Sequence, residues 1–219
     1  ENYLGEAINC KRKVATFYAR MGQFSNSEKM LREIIQQAQP DSLKKQLAYA
    51  YNAMGNTFGR QDKLDSAMVY FIKSENTFLA INDTIEMLRP INGRTSVLTQ
   101  QKKYDEALVL LHQVKDIRKK LNLRHNLMDS YSYLASVYDA KADFENALYY
   151  SKESLKLAEE LNDNSVKAHV LLTISSIYLN NADYENSLDY CNQAIEVNND
   201  SNLENLVSGI ALKGNILNL

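Results

Sequence analysis

The chain has no tryptophan, and its 219 residues include only 2 prolines, 7 glycines and 2 cysteines. So little turn material argues against a sheet protein, whose tight hairpins draw on Gly and Pro, and favours helices throughout. No apolar run approaches the roughly 18 residues of a transmembrane helix, so membrane insertion by this region is not expected. Neither sign of charge dominates: 25 Lys and Arg face 27 Asp and Glu, for a net charge of -2. Direct nucleic-acid binding normally shows as a clearly basic domain or patch, so that class is disfavoured, as is a polybasic membrane anchor. Chemical signatures are missing too. There is no Gly-rich phosphate loop, CxxC, HExxH or Gly-x-Ser-x-Gly. His112, His125 and His169 share no metal-ligand spacing, so neither metal nor cofactor is expected. Glu159-Glu160 beside Lys156 has the look of a solvated helix face. The chain reads as a non-enzyme.

Apolar residues at 45% and charged residues at 24% are ordinary for a soluble globular protein, cytoplasmic or periplasmic. The opening Glu1-Asn-Tyr-Leu carries neither an initiator Met nor a signal peptide, which suggests a mature product or an excised piece. A fixed period then organises everything else. The small residues Ser27, Ala67, Ala107, Ala147 and Ser187, which open the second helix of each pair, are spaced by 40. Three residues before each stands a bulky apolar residue: Phe24, Leu64, Tyr104, Phe144 and Tyr184. Nine before each stands another: Tyr18, Phe58, Leu98, Tyr138 and Tyr178. Asn82, Asn122, Asn162 and Asn202 keep the same period at the handover between repeats, where Asn suits a left-handed helix end. Such a period signals stacked helical hairpins.

One hairpin shows the pattern best. Tyr131-x2-Leu134-Ala135-x2-Tyr138 is followed by Phe144-x2-Ala147, and repeat two adds Tyr51-x2-Met54-Gly55-x2-Phe58 and Ala67-x3-Phe71. These residues resemble the tetratricopeptide repeat family, and the likeness covers nearly the whole chain. It implies an all-α, right-handed superhelical solenoid of about five helix-turn-helix hairpins plus a terminal helix. The repeats fall at about 1–40, 41–81, 82–121, 122–161 and 162–201, with a partial sixth over 202–219, in one elongated domain. The 40-residue repeat length resembles that of bacterial sensory members of the family: peptide-pheromone receptors and sensor regions joined to kinases or DNA-binding domains.

Repeat three departs from the pattern. Pro90 and Gly93 disfavour a continuous helix, and Arg94 stands where the other repeats have Met54, Leu134 and Ile174. The expectation is a helix that starts late, with Pro90 in its first turn; the alternative is a bend in the wall of a groove. Cys10 and Cys191 fall in the first and fifth repeats, too far apart for a disulfide, and both are expected as buried free thiols. Tyr70, Tyr150 and Tyr190 recur in the second helices and are expected to pack between hairpins.

The resemblance implies a groove lined by the first helix of each hairpin. Carried over by register, its candidates are Asn9, Arg12 and Thr16; Tyr49, Asn52, Asn56 and Arg60; Arg89, Asn92 and Ser96; Asp129, Ser132, Ser136 and Asp139; and His169, Leu172 and Ser176. Asn side chains can pair with a peptide backbone as donor and acceptor together, and Arg12 and Arg89 could grip a carboxylate. The carboxylate clamp of some family members maps to Arg12, Thr16, Ala53, Arg89 and Gly93, of which two have suitable chemistry, so a chaperone tail is not the expected ligand. The stretch Gly214-Asn-Ile-Leu-Asn-Leu219 is an apolar helix without a cover, so either more chain follows or this end packs on a second copy as a homodimer. Three roles stay open: a protein- or peptide-binding scaffold, the ligand-sensing region of a bacterial transcriptional regulator or sensor kinase, and a self-association module.

Overall fold

In the computed structural model, residues 2–198 and 203–217 are described; Asn202, Asn218 and Leu219 lie outside them, and with Asn202 its expected handover role. The described residues form helices and no strand. Five pairs follow in order: α1 (Asn2–Arg20) and α2 (Phe24–Gln37), α3 (Lys44–Gly59) and α4 (Leu64–Ala80), α5 (Thr84–Gln100) and α6 (Tyr104–Lys120), α7 (Arg124–Ala140) and α8 (Phe144–Glu160), and α9 (Asn164–Asn180) and α10 (Tyr184–Asn198). Helix α11 (Leu203–Leu217) begins what would be a sixth pair, and a short 3-10 turn, Asp41–Leu43, leads into α3. The chain forms two compact units, Glu1–Leu110 and Leu111–Leu219, and each is described by itself.

From α4 to α9, helices of 17 residues alternate with turns of three, and one device makes each turn between α3 and α10. A residue in the left-handed region ends the helix: Asp62, Asn82, Lys102, Asn122, Ala142, Asn162 and Ala182, with Gly22 in the first hairpin. The next residue's amide then reaches back to a carbonyl five residues earlier, as in Asp83 N to Phe78 O at 3.0 Å and Asp143 N to Tyr138 O at 2.9 Å. The same residue often caps the following helix. Asp83, Asp143 and Asp163 accept from the amides of Glu86, Asn146 and Val166 at 3.1, 3.2 and 3.0 Å. Turns within and between hairpins are therefore chemically alike. Asparagine occupies three of these eight left-handed positions.

The small residues of the 40-residue register are all fully buried, and each lies one turn inside a second helix that begins at the bulky residue three before it. Where alanine is replaced by serine, the hydroxyl finds a partner on a neighbouring helix. Ser27 Oγ lies 3.1 Å from Thr57 Oγ1, and Ser187 Oγ donates to the Ser175 carbonyl at 2.8 Å. Tyrosines of the second helices stack on the aromatic of the first: Tyr70 on Phe58, Tyr150 on Tyr138 and Tyr190 on Tyr178, with centroids 5.4 to 5.5 Å apart. They pack as the periodicity predicts, but each stack lies within its own hairpin rather than between hairpins. His112 joins the second of these stacks, its Nε2 3.3 Å from the Tyr138 hydroxyl, and burial lowers its pKa.

In the first unit, Phe71 of α4 is the central wedge. A methyl added at Gly55 of α3 would come within 2.7 Å of its ring, and one added at Gly93 of α5 within 2.4 Å. Both glycines are thus vacancies that one buried aromatic fills. Arg94, at a register position where other repeats bury an apolar side chain, turns instead to Glu75 of α4, its Nη1 donating to Oε2 at 2.5 Å.

Two expectations are corrected. Helix α5 does not start late: it begins at Thr84, capped by Asp83, and Pro90 lies buried in its second turn. Pro90 has no N–H for the Glu86 carbonyl, a loss that costs about 3 kcal/mol in a helix interior, yet the turn and the cap of Asp83 fix the start upstream. Cys10 is exposed rather than buried, while Cys191 is buried with its thiol 3.2 Å from the Gly209 carbonyl; both are free. The register partners of Cys10, Ala50, Pro90, Ser130 and Val170, are all buried; Cys10 differs because α1 is the first described helix.

Gly93→Ala is expected to lower stability in urea unfolding by about 1–3 kcal/mol by forcing Phe71 from its seat. Gly59→Ala, whose methyl would meet nothing within 4 Å, is the control and should leave stability unchanged or raised. Ala182→Gly should raise the unfolding midpoint by about 0.5–1 kcal/mol equivalent, because it relieves a left-handed alanine.

Candidate functional site

In the first unit the 40-residue register sets the first helices side by side as rungs. The rungs are Asn9, Tyr49 and Arg89; Arg12, Asn52 and Asn92; Thr16, Asn56 and Ser96; and Arg20, Arg60 and Gln100. Along α1, α3 and α5 the rungs are three or four residues apart, which keeps them on one helix face. Three cavities follow that face. The first, about 340 Å³, is lined by Asn9, Arg12, Lys13, Tyr49, Asn52 and Arg89. The next, about 290 Å³, shares Arg12 and Lys13 with it and extends to Thr16, Phe17 and Arg20. The third, about 380 Å³, takes in Thr16, Arg20, Asn56, Arg60 and Ser96, with Phe71 and Gly93 at its wall. Shared residues make these one groove running along α1, and no carboxylate lines any of the three.

Arg12 is seated against an aromatic face. Its guanidinium carbon sits 5.2 Å above the Tyr49 ring, and that ring meets Phe78 edge-on at 5.2 Å. Burial lowers the Arg12 pKa, and the like charge of Arg89 acts the same way against Tyr49 and Glu86; arginine stays protonated regardless. Burial also raises the Tyr49 pKa, reinforced by Glu86. Arg89 donates from Nε to Glu86 Oε2 at 2.5 Å.

The second rung has a feature of its own. Arg12 Nε, Asn52 Oδ1 and Asn92 Oδ1 are all buried without a hydrogen-bond partner. One register position on three consecutive first helices thus holds one donor and two acceptors that no protein group bonds. Each such buried group costs about 1–3 kcal/mol until something bonds it.

The structure thus gathers Asn9, Arg12, Thr16, Tyr49, Asn52, Asn56, Arg60, Arg89 and Ser96 along one groove, with Asn92 on the same ladder. It adds Lys13, Arg20 and Gln100. The signal for Arg20 and Gln100 was available, since they stand 40 residues before and after Arg60.

The candidates of the second unit line none of these cavities. Ser132 Oγ lies 2.9 Å from Ser154 Oγ of α8, inside its own hairpin, and Ser136 Oγ donates to the Ser132 carbonyl at 3.0 Å. Asp129 is exposed by area, yet desolvation by its neighbours raises the carboxyl pKa against the pull of Arg118 and His125. Asp139 accepts from Asn180 Nδ2 at 3.2 Å, His169 is exposed, Leu172 packs in the core and Ser176 is half-buried. Among the described residues no group of three His, Cys, Asp or Glu could hold a metal, and no helix is long and apolar enough to cross a membrane.

Comparison with known proteins agrees with the hairpin geometry. The regulatory protein RapD of Bacillus subtilis is 24% identical over 156 residues, which cover 71% of this chain and 44% of RapD, so the chain spans less than half the length of that relative. A signal transduction ATPase with numerous domains from Pyrococcus horikoshii, which carries a tetratricopeptide repeat sensor, superposes with a TM-score of 0.78 at 18% identity, over 93% of this chain and 31% of that one. NprR in complex with its cognate peptide NprX superposes with a TM-score of 0.65 at 16% identity, over 96% of this chain and 60% of that one. Tetratricopeptide repeat family models match residues 87–160 and 168–201. Residues 87–160 and 168–201 are thus tetratricopeptide repeats, and the five described helix pairs keep the same 40-residue period through the rest of the chain.

Proposed function

We propose that this chain is a non-catalytic binding scaffold that captures a peptide or protein segment in the groove of α1, α3 and α5. The observation that carries the reading is the second rung, where Arg12 Nε, Asn52 Oδ1 and Asn92 Oδ1 are buried and unpartnered. A peptide backbone supplies both kinds of missing partner, because each residue offers an N–H to the Asn oxygens and a C=O to the arginine nitrogen. The rung crosses the groove from helix to helix, so a segment running along α1 meets these atoms where it passes the rung. Nothing in the groove forms or breaks a bond; complementarity is the whole mechanism.

A finer reading is that the scaffold is the ligand-sensing region of a bacterial regulator. Three likenesses favour it: to the regulatory protein RapD, to an ATPase with a tetratricopeptide repeat sensor, and to NprR bound to its cognate peptide. In that reading, occupying the second rung ties three first helices together and alters the output of whatever the region is joined to.

Capture of peptides from a random library by the wild-type chain and by an Arg12→Gln/Asn52→Ala/Asn92→Ala variant tests the scaffold. The variant should lose about tenfold or more in affinity, as hydrogen bonds of about 0.5–1.5 kcal/mol each are removed, while its thermal midpoint holds or rises because unsatisfied groups are gone. Affinity that survives in the variant would place the site elsewhere.

A further inference from the structure

The charges of the groove specify what kind of segment it takes. At one end stand Arg12, Lys13 and Arg89, against which Glu86, the partner of Arg89, is the acidic group coupled to this end. At the other stand Arg20 and Arg60, which carry no ion pair among the described residues. Between them the lining is neutral: Thr16, Asn52, Asn56 and Ser96. A chain with a net charge of -2 thus concentrates five cations on one groove whose cavities no carboxylate lines. Like charges gathered this way repel, and a ligand with two separated negative groups relieves both ends at once.

The spacing narrows the ligand further. Arg12 and Arg20 are eight residues apart on α1, about 12 Å along the helix axis at 1.5 Å per residue. An extended peptide advances about 3.3 Å per residue and turns every second side chain to the same face, so residues i and i+4 span about 13 Å and look the same way. Resting on the peptide-binding reading above, we propose that the occupant is an acidic extended segment with two carboxylates four residues apart, one held by Arg12 and Arg89 and the other by Arg20 and Arg60. The unpartnered Asn52 oxygen, on the rung of Arg12, takes a backbone N–H of the same segment.

The test is fluorescence anisotropy on the whole 219-residue chain with fluorescein-labelled, end-blocked nonapeptides in a Ser/Ala background. One peptide carries two Glu four residues apart, a second two adjacent Glu, a third Gln at both spaced positions and a fourth Lys at both. The spaced Glu peptide should bind about tenfold or more tightly than the other three, and its advantage should shrink as salt is raised. Arg20→Gln/Arg60→Gln should reduce it to the level of the Gln peptide, while Arg20→Lys/Arg60→Lys should keep the preference and shows that the charge, not folding, is at issue. Equal binding of the Gln or Lys peptides, lost in the Arg12→Gln/Asn52→Ala/Asn92→Ala variant, would overturn the acidic partner and leave the groove standing. Binding of none of the four would overturn both.

Discussion

In the first unit the ring of Phe71 lies against the backbones of Gly55 and Gly93, where a single methyl would approach to within 2.7 and 2.4 Å. That contact sets how α4 sits between α3 and α5, and α3 and α5 carry two of the three walls of the groove. Phe71 is almost fully buried yet stands at the margin of the largest of the three cavities along the groove, so one aromatic serves core and site together. An aromatic seated on two glycines has a single way to pack.

The repeat is made by its turns as much as by its core. A left-handed residue, a back-reaching amide and a capping aspartate recur through the chain, and they act alike within and between hairpins. This device explains why Pro90 neither starts nor breaks α5. The helix is initiated at Asp83, and Pro90 falls at a position whose register partners Ala50, Ser130 and Val170 are buried against neighbours. Burial at that position outweighs the one helical bond that proline cannot make.

Much of this was legible in the chain itself, because each hairpin repeats the same spacing and position in the period stands in for position in space. The helix pairs, the buried small residues at Ser27, Ala67, Ala107, Ala147 and Ser187, and the Tyr–aromatic stacks all follow from it. So do the rungs from Asn9 to Ser96. The register could not show exposure on the first described helix, where Cys10 is exposed although its register partners are buried. Nor could it show the direction of a side chain such as Ser132, which bonds within its hairpin to Ser154. The left-handed alanines at 142 and 182 gave no signal, since nothing in alanine favours that conformation. Arg94 was visible as an anomaly, but its partner Glu75 lies 19 residues away on the preceding helix and emerges only in the fold.

The central claim is that buried, unpartnered polar atoms on the second rung are the ligand contacts. The most direct measurement is NMR of the Asn52 and Asn92 side-chain amides while a captured peptide is titrated into the isotopically labelled chain. The account predicts that both amide groups shift together and to saturation, because the peptide bonds Oδ1 atoms that no protein group bonds. Shifts confined to other residues, with these two amides unmoved at saturation, would contradict it.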